Sequence, residues 1–224
     1  MATGSPKRRF GATAEPEVEV EQLDSARVST LGQGFALEDV ALDGSSGFVD
    51  VDAGLGTLMN VSLVGVELVG SRLRGVHLRD VVAEALDGSN ANWAGAELTR
   101  VVFKQCRLTG MELPESELRD VVFSDCKLDY VSFRMAKLTH VTFDGCLFDD
   151  TDFSSSTIAL SRFADCRIRN CDLSGAKLAD VDLRGSELGF RGVRALEGAV
   201  ITSLQLMDIA GALAQELGIE VTDA

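Results

Sequence analysis

Four cysteines in this 224-residue chain stand 20 residues apart: Cys106, Cys126, Cys146 and Cys166. Thiols at a fixed spacing can bind a metal, form disulfides or carry redox chemistry. Zinc needs about four thiolates converging on one point, and a disulfide needs two side chains turned toward each other. The neighbouring residues decide between these. Each cysteine follows a phenylalanine by three residues (Phe103, Phe123, Phe143, Phe163) and precedes a large apolar residue by two (Leu108, Leu128, Phe148, Ile168). One phrase returning every 20 residues stacks its cysteines in a straight ladder with parallel side chains, which neither converge nor face one another. The expected role is a small hydrophobe in a tight core corner, and Cys171 falls at the same kind of position.

Other reactive types are sparse. His77 and His140 fall at outward positions about three coils apart, too far to act together. The chain has no nucleophile elbow, no phosphate-binding glycine loop and no HExxH. No enzyme activity, cofactor or metal is expected.

The elements that carry the cysteines follow from a shorter period. Stepping by five from Leu58 gives Leu63, Leu68, Leu73 and Leu78, and the register runs through Phe133, Phe143 and Phe153 to Leu183 and Leu188, with only Ala83 and Gly88 not large. The residue two before each is small, apart from Leu86 and Met111. A period of five is neither helical nor that of a strand. Within each unit, however, the small and large residues are two apart, so both point the same way on an extended segment. A chain that runs straight, turns and repeats with the same two side chains inward coils around its own core. Coils stacked at about 4.8 Å make a rod of roughly 30 Å over 58–190. Phe103, Phe123, Phe143 and Phe163 are expected to form one internal stack, and Phe133 and Phe153 another.

The phrases CDLSGAKLADVDLRGSEL (171–188) and SNANWAGAELTRVVF (89–103) resemble the pentapeptide-repeat proteins, over about 58–190. The resemblance implies an all-β, right-handed quadrilateral parallel β-helix with four pentapeptides per 20-residue coil. The expected layout is a flexible charged tail over 1–30, irregular first coils over 31–57, the regular β-helix over 58–193, and a C-terminal cap over 194–224. Leu37 and Leu42 keep the five-step but Phe48 comes one residue late, so DGSSG (43–47) is read as a loop or bulge. The spacing predicts a capping α-helix over about 203–217. Thr202 to Gln205 has capping-box spacing, and Leu206, Ile209, Leu213 and Leu217 line one face.

The chain holds 35 acidic and 21 basic residues, a net charge of -14. That balance disfavours direct nucleic-acid binding, which needs Lys and Arg against phosphates. No apolar run of membrane-spanning length occurs. The N-terminus has Lys7, Arg8 and Arg9 with no apolar stretch behind them, so a cytoplasmic location is expected. Between 58 and 193 lie 20 acidic and 16 basic residues, so most of the excess negative charge falls outside the regular repeat. One coil stands out: Asp144, Asp149, Asp150 and Asp152 all point outward, a candidate patch for a basic partner. The resemblance implies a protein partner. Some members of the family are dimeric rods, joined at their C-terminal ends, whose acidic surface resembles duplex DNA and occupies DNA gyrase. The C-terminal stretch LEGAVITSLQLMDIAGALAQELGIEV is similar to the cap of actinobacterial relatives. Two readings follow: a DNA mimic directed at gyrase or another DNA-handling protein, and an interaction module with an unrelated partner. A continuous negative stripe favours the first; alternating signs favour the second.

Overall fold

The computed structural model describes residues 13–25, 28 and 30–222. The chain winds as a four-sided parallel β-solenoid closed by one C-terminal helix. Six eight-residue strands form one side sheet: β2 (Ala36–Asp43), β3 (Thr57–Val64), β4 (His77–Glu84), β5 (Glu97–Lys104), β6 (Glu117–Ser124) and β7 (Lys137–Asp144), preceded at the edge by β1 (Asp24–Ser25). From β3 to β7 every rung pairs residues 20 apart, as in Leu78↔Leu98 and Phe103↔Phe123. Between β2 and β3 the offset is 21, as in Leu42↔Leu63. It returns to 20 at Gly47↔Glu67, so the extra residue lies within the DGSSG segment.

Each long strand bends at its fourth residue, which supplies the corner between two pentapeptide faces. Asp80, Arg100, Asp120 and His140 sit there with φ of 53°, 53°, 54° and 54°. This left-handed conformation strains ordinary L-residues, and the coil imposes it at every turn. Where the corner is glycine, as at Gly110 (φ 70°), an added Cβ would also collide with the Asn90 carboxamide one coil away.

Four columns of large residues fill the interior. One runs through Leu58, Leu78, Leu98, Leu118 and Leu138, and the next through Leu63, Ala83, Phe103, Phe123, Phe143 and Phe163. The other two run through Leu68, Gly88, Leu108 and Leu128, and through Leu73, Trp93, Leu113, Phe133 and Phe153. The sides they line are called faces one to four. Successive rings of face two stack with centroids 4.9 Å apart for Phe103–Phe123 and for Phe123–Phe143, and Phe133–Phe153 on face four stack at 5.1 Å. Rings from the two columns meet edge-on, as for Phe123–Phe133 at 78°. Offset stacks and edge contacts are the favoured aromatic arrangements. The gap at Ala83 and Gly88 is filled by neighbours. A Cβ on Gly88 would meet Leu108, Leu86 and Met111, and the Trp93 ring takes the fourth side of that coil.

Both ends of the stack are closed. At the N-terminal end Leu31 is buried, with Val28 and Phe35 packed beside it, an end cap that the repeat register did not reveal. Of the expected flexible tail, residues 1–12 lie outside the described residues. Residues 13–25 run along the outside of the side sheet and end in β1, which pairs in parallel with Val40 and Ala41 of β2. At the other end, α1 (Ser203–Glu216) lies over the last coil. Among the described residues no helix is long and apolar enough to cross a membrane.

Candidate functional site

The inward cysteines are free and buried. Each thiol in the ladder points at backbone carbonyls: Cys126 Sγ lies 3.5 Å from the Phe103 oxygen and 3.4 Å from the Ser124 oxygen. Serine occupies the same position elsewhere and makes the same bond, as from Ser186 Oγ to the Phe163 oxygen at 3.1 Å. Hydrogen bonding to the next thiol, reinforced by burial, pushes Cys106 and Cys146 upward. Burial pushes Cys171 up to about 11. Those three thiols are held neutral near pH 7, while the same thiol–thiol hydrogen bonds draw Cys126 and Cys166 downward. Among the described residues no group of three or more His, Cys, Asp or Glu is placed to hold a metal.

The surface is therefore where function can reside, and the solenoid arranges it in ladders. The outward residue of each pentapeptide stacks on its counterpart 20 residues away, so like positions form vertical rows about 4.8 Å apart. On face one, His77 meets Glu97 at 3.1 Å and Lys137 meets Glu117 at 2.5 Å. The Lys137 ammonium holds the Glu117 carboxyl below its ordinary value. Face three reads Glu67, Asp87, Arg107, Lys127, Leu147, Arg167 and Glu187, acidic at both ends and basic between. Face four reads Asp52, Arg72, Asn92, Glu112, Ser132, Asp152 and Asp172, followed by Arg191. From Asn92 to Asp172 this middle row carries no basic residue over five rungs, roughly 19 Å, while Arg134 stands beside Ser132 on the same face.

The structure places the four carboxylates of the predicted patch on several sides of one coil. Asp144 ends β7 on face two. Asp149 lies on face three beside Arg169, its partner in the ladder, and Asp150 turns the next corner with φ 50°. Asp152 is on face four, where its carboxylate accepts the Ser154 N–H at 2.7 Å. They wrap the coil instead of converging, because 20 residues are shared among four faces. The acidic row lies across coils, and Asp152 joins it with Glu112 and Asp172. A linear count of neighbours could not find that row, whereas a count in steps of 20 does.

The predicted helix face is also rotated. Ile209 is buried and Leu213 packs on the core, but Leu206 and Leu217 point outward. Gln205 turns inward beside Ile209. Its Oε1 accepts the Thr202 N–H at 2.8 Å, and Thr202 Oγ1 accepts the Gln205 N–H at 3.2 Å, closing the capping box. Gln205 Nε2 donates to the carbonyls of Leu183 and Ser186 at 2.7 and 2.8 Å, which the end of the solenoid leaves without a further coil. The other end of α1 is tied by Glu216, whose carboxylate accepts the N–H groups of Val193 and Arg194. The outer side of this end exposes Leu204, Leu206, Met207, Leu217, Ile219 and Val221.

Two family models match the chain: a pentapeptide repeat region over residues 96–166, and pentapeptide repeats in eight copies over residues 159–190. No curated protein matches the sequence. Among solved structures, the chain is similar to two trypsin-treated variants of QnrB1, described as a plasmid-mediated fluoroquinolone resistance protein. One aligns with a TM-score of 0.51 and 19% identity, covering 88% of this chain and 99% of that one. The other aligns with a TM-score of 0.51 and 18% identity, covering 89% and 100%. At this identity the likeness bears on the fold alone.

Proposed function

The chain is a pentapeptide-repeat protein, and from that premise we propose that it is a non-enzymatic, cytoplasmic protein-binding scaffold whose acidic row on face four engages a basic surface of a DNA-handling protein. The resemblance names DNA gyrase as the candidate. The observation that carries this reading is the middle row from Asn92 to Asp172, which includes Glu112, Asp152 and Asp172 and no basic residue, with Arg134 the one cation flanking it at Ser132. Stacked carboxylates at a fixed rise present negative charge along a line, which is what a surface built to hold a nucleic-acid backbone attracts. The described interior is packed with apolar side chains, which suits a scaffold that acts through its surface. Five buried free thiols agree with a reducing compartment.

A second reading rests on face three, where Arg107, Lys127 and Arg167 interrupt the negative charge. A mixed face suits an unrelated protein partner and no mimicry. The outward apolar residues of the C-terminal end support pairing of two copies there, which would extend either surface.

The test is a gyrase supercoiling assay with the full-length protein, titrated across a salt series. Inhibition that weakens steeply with salt, and that is lost in the double substitution Asp152→Lys and Asp172→Lys, is the expected result. No effect of the wild-type protein at large excess would remove gyrase as the partner and leave the mixed-face scaffold as the working function.

A further inference from the structure

Face two differs from the other sides in what it turns outward. Its outward row runs Ser62, Val82, Val102, Val122 and Thr142 before reaching Arg162 and Asp182, where faces one and three carry mainly charged residues throughout. Three stacked valines outside a solenoid would form an apolar stripe in water. Yet Val102 is only 8% exposed and Ser62 only 2%, although neither outward side chain reaches the interior.

The N-terminal segment accounts for that cover. Thr13 shares a hydroxyl hydrogen bond of 2.8 Å with Thr142, and its Oγ1 donates to the His140 carbonyl. The Ala14 N–H donates to the Asp120 carboxylate at 3.2 Å, and the Glu17 N–H to the Asp80 carboxylate at 3.2 Å. Asp80 and Asp120 are equivalent corner residues two coils apart, about 9.6 Å at the strand spacing; three extended residues span about 10 Å. The two carboxylates are thus in register with two amides of an extended chain laid across the coils. Pro16 and Val18 are half-buried, while Glu15, Glu17 and Glu19 face outward, a two-residue alternation with the apolar side down. Arg100, between the two aspartates, donates from Nε and Nη2 to Asp80 and so fixes the carboxylate that receives Glu17.

We propose that the outer groove of face two is a binding surface for an extended peptide, which it recognises through backbone amides and an apolar edge, and that residues 13–19 of this chain are its resident occupant. The groove is built from the rod alone: carboxylate acceptors at the corners and valines between them. Among the described residues the segment is tied by the four hydrogen bonds above; in this proposal it is a removable cover whose release bares the valine stripe. This surface lies on a different side from the acidic row and does not depend on it.

The test uses the full chain and a labelled synthetic peptide of residues 10–22. In the double variant Ala14→Pro and Glu17→Pro, the resident segment loses both donors while the rod is untouched. This variant takes up the peptide at least about tenfold more tightly than the wild type, whose own segment competes. Adding Asp120→Asn weakens that uptake by about tenfold, and a peptide carrying the same two prolines does not bind. Amide exchange of Ala14 and Glu17 in the wild type is slowed relative to the Asp120→Asn variant. Absence of peptide uptake by the released variant, equal binding of the proline peptide, or unprotected Ala14 and Glu17 amides would each overturn the proposal.

Discussion

In the column of Cys106 to Ser186 the inward small position tolerates different chemistries because the coil below presents carbonyl oxygens to it, whereas Ser71 and Ser156 in the other columns find no partner among the described residues. Cys126 and Ser186 differ by one atom and point at equivalent partners. A serine there also accepts an N–H from the preceding coil, as Ser186 does from Cys166 and, in another column, Ser161 from Val141. Cys126→Ser therefore costs less than about 1 kcal/mol, since the new hydroxyl is satisfied at once. Cys126→Leu adds bulk between Cys106 and Cys146 where no space exists, and costs about 3 kcal/mol through overpacking. Urea unfolding of the two variants distinguishes them; equal losses would mean that the ladder is held by something specific to sulfur. The four thiols of the ladder were legible as packing residues because a 20-residue echo forces parallel side chains, and Cys171 because it takes the small position of the five-residue register.

Among the elements, the helix cap shows where an apolar pattern misleads. The sequence pattern put Leu206, Ile209, Leu213 and Leu217 on one face as candidates for the cap and for pairing, and the structure turns Ile209 and Gln205 inward while Leu206 and Leu217 stay exposed. The reason is that the end of a solenoid is not an apolar surface only: it leaves carbonyls that expected another coil. Gln205 satisfies two of them and the Thr202 amide, and those bonds outweigh the gain from burying one more leucine. Gln205→Leu removes all three bonds, leaving the Ser186 carbonyl without its partner and the Leu183 carbonyl with only the long Ser186 N–H bond of 3.3 Å. The expected loss is about 2–3 kcal/mol, with faster amide exchange confined to 199–217. A variant as stable as the wild type would show that water replaces the side chain fully. The same limit hid the N-terminal segment. Its glutamates read as a solvated tail, although the alternation of Pro16 and Val18 with Glu15, Glu17 and Glu19 was present. What binds it is a row of valines and aspartates 20 residues apart, visible only after the coil is wound. The solenoid itself was legible because its five-residue register is a packing requirement repeated at every turn.

At the scale of the whole molecule the two ends are not equivalent. The N-terminal end is plugged by Leu31 and Phe35, which belong to the core. The C-terminal end is capped by α1, whose inner side holds Ile209 and Gln205, while Met207 on its outer side is 66% exposed and Val221, beyond the helix, 75%. Leu204, Leu206, Leu217 and Ile219 adjoin them. An apolar surface of this kind on a charged rod marks an interface, and a second copy offers the same surface for an isologous contact. The protein is accordingly expected to be a dimer in light scattering at micromolar concentration. Leu206→Asp with Met207→Asp should convert it to a monomer. The thermal midpoint at low concentration should then change little, because neither side chain contributes to the core and exposed substitutions cost within about 0.5 kcal/mol. If the wild type is already a monomer, end-to-end pairing is wrong, and any face-four partner must be engaged by a single rod. If the double variant remains a dimer, the copies meet through a side face, and the valine groove of face two becomes the surface to test.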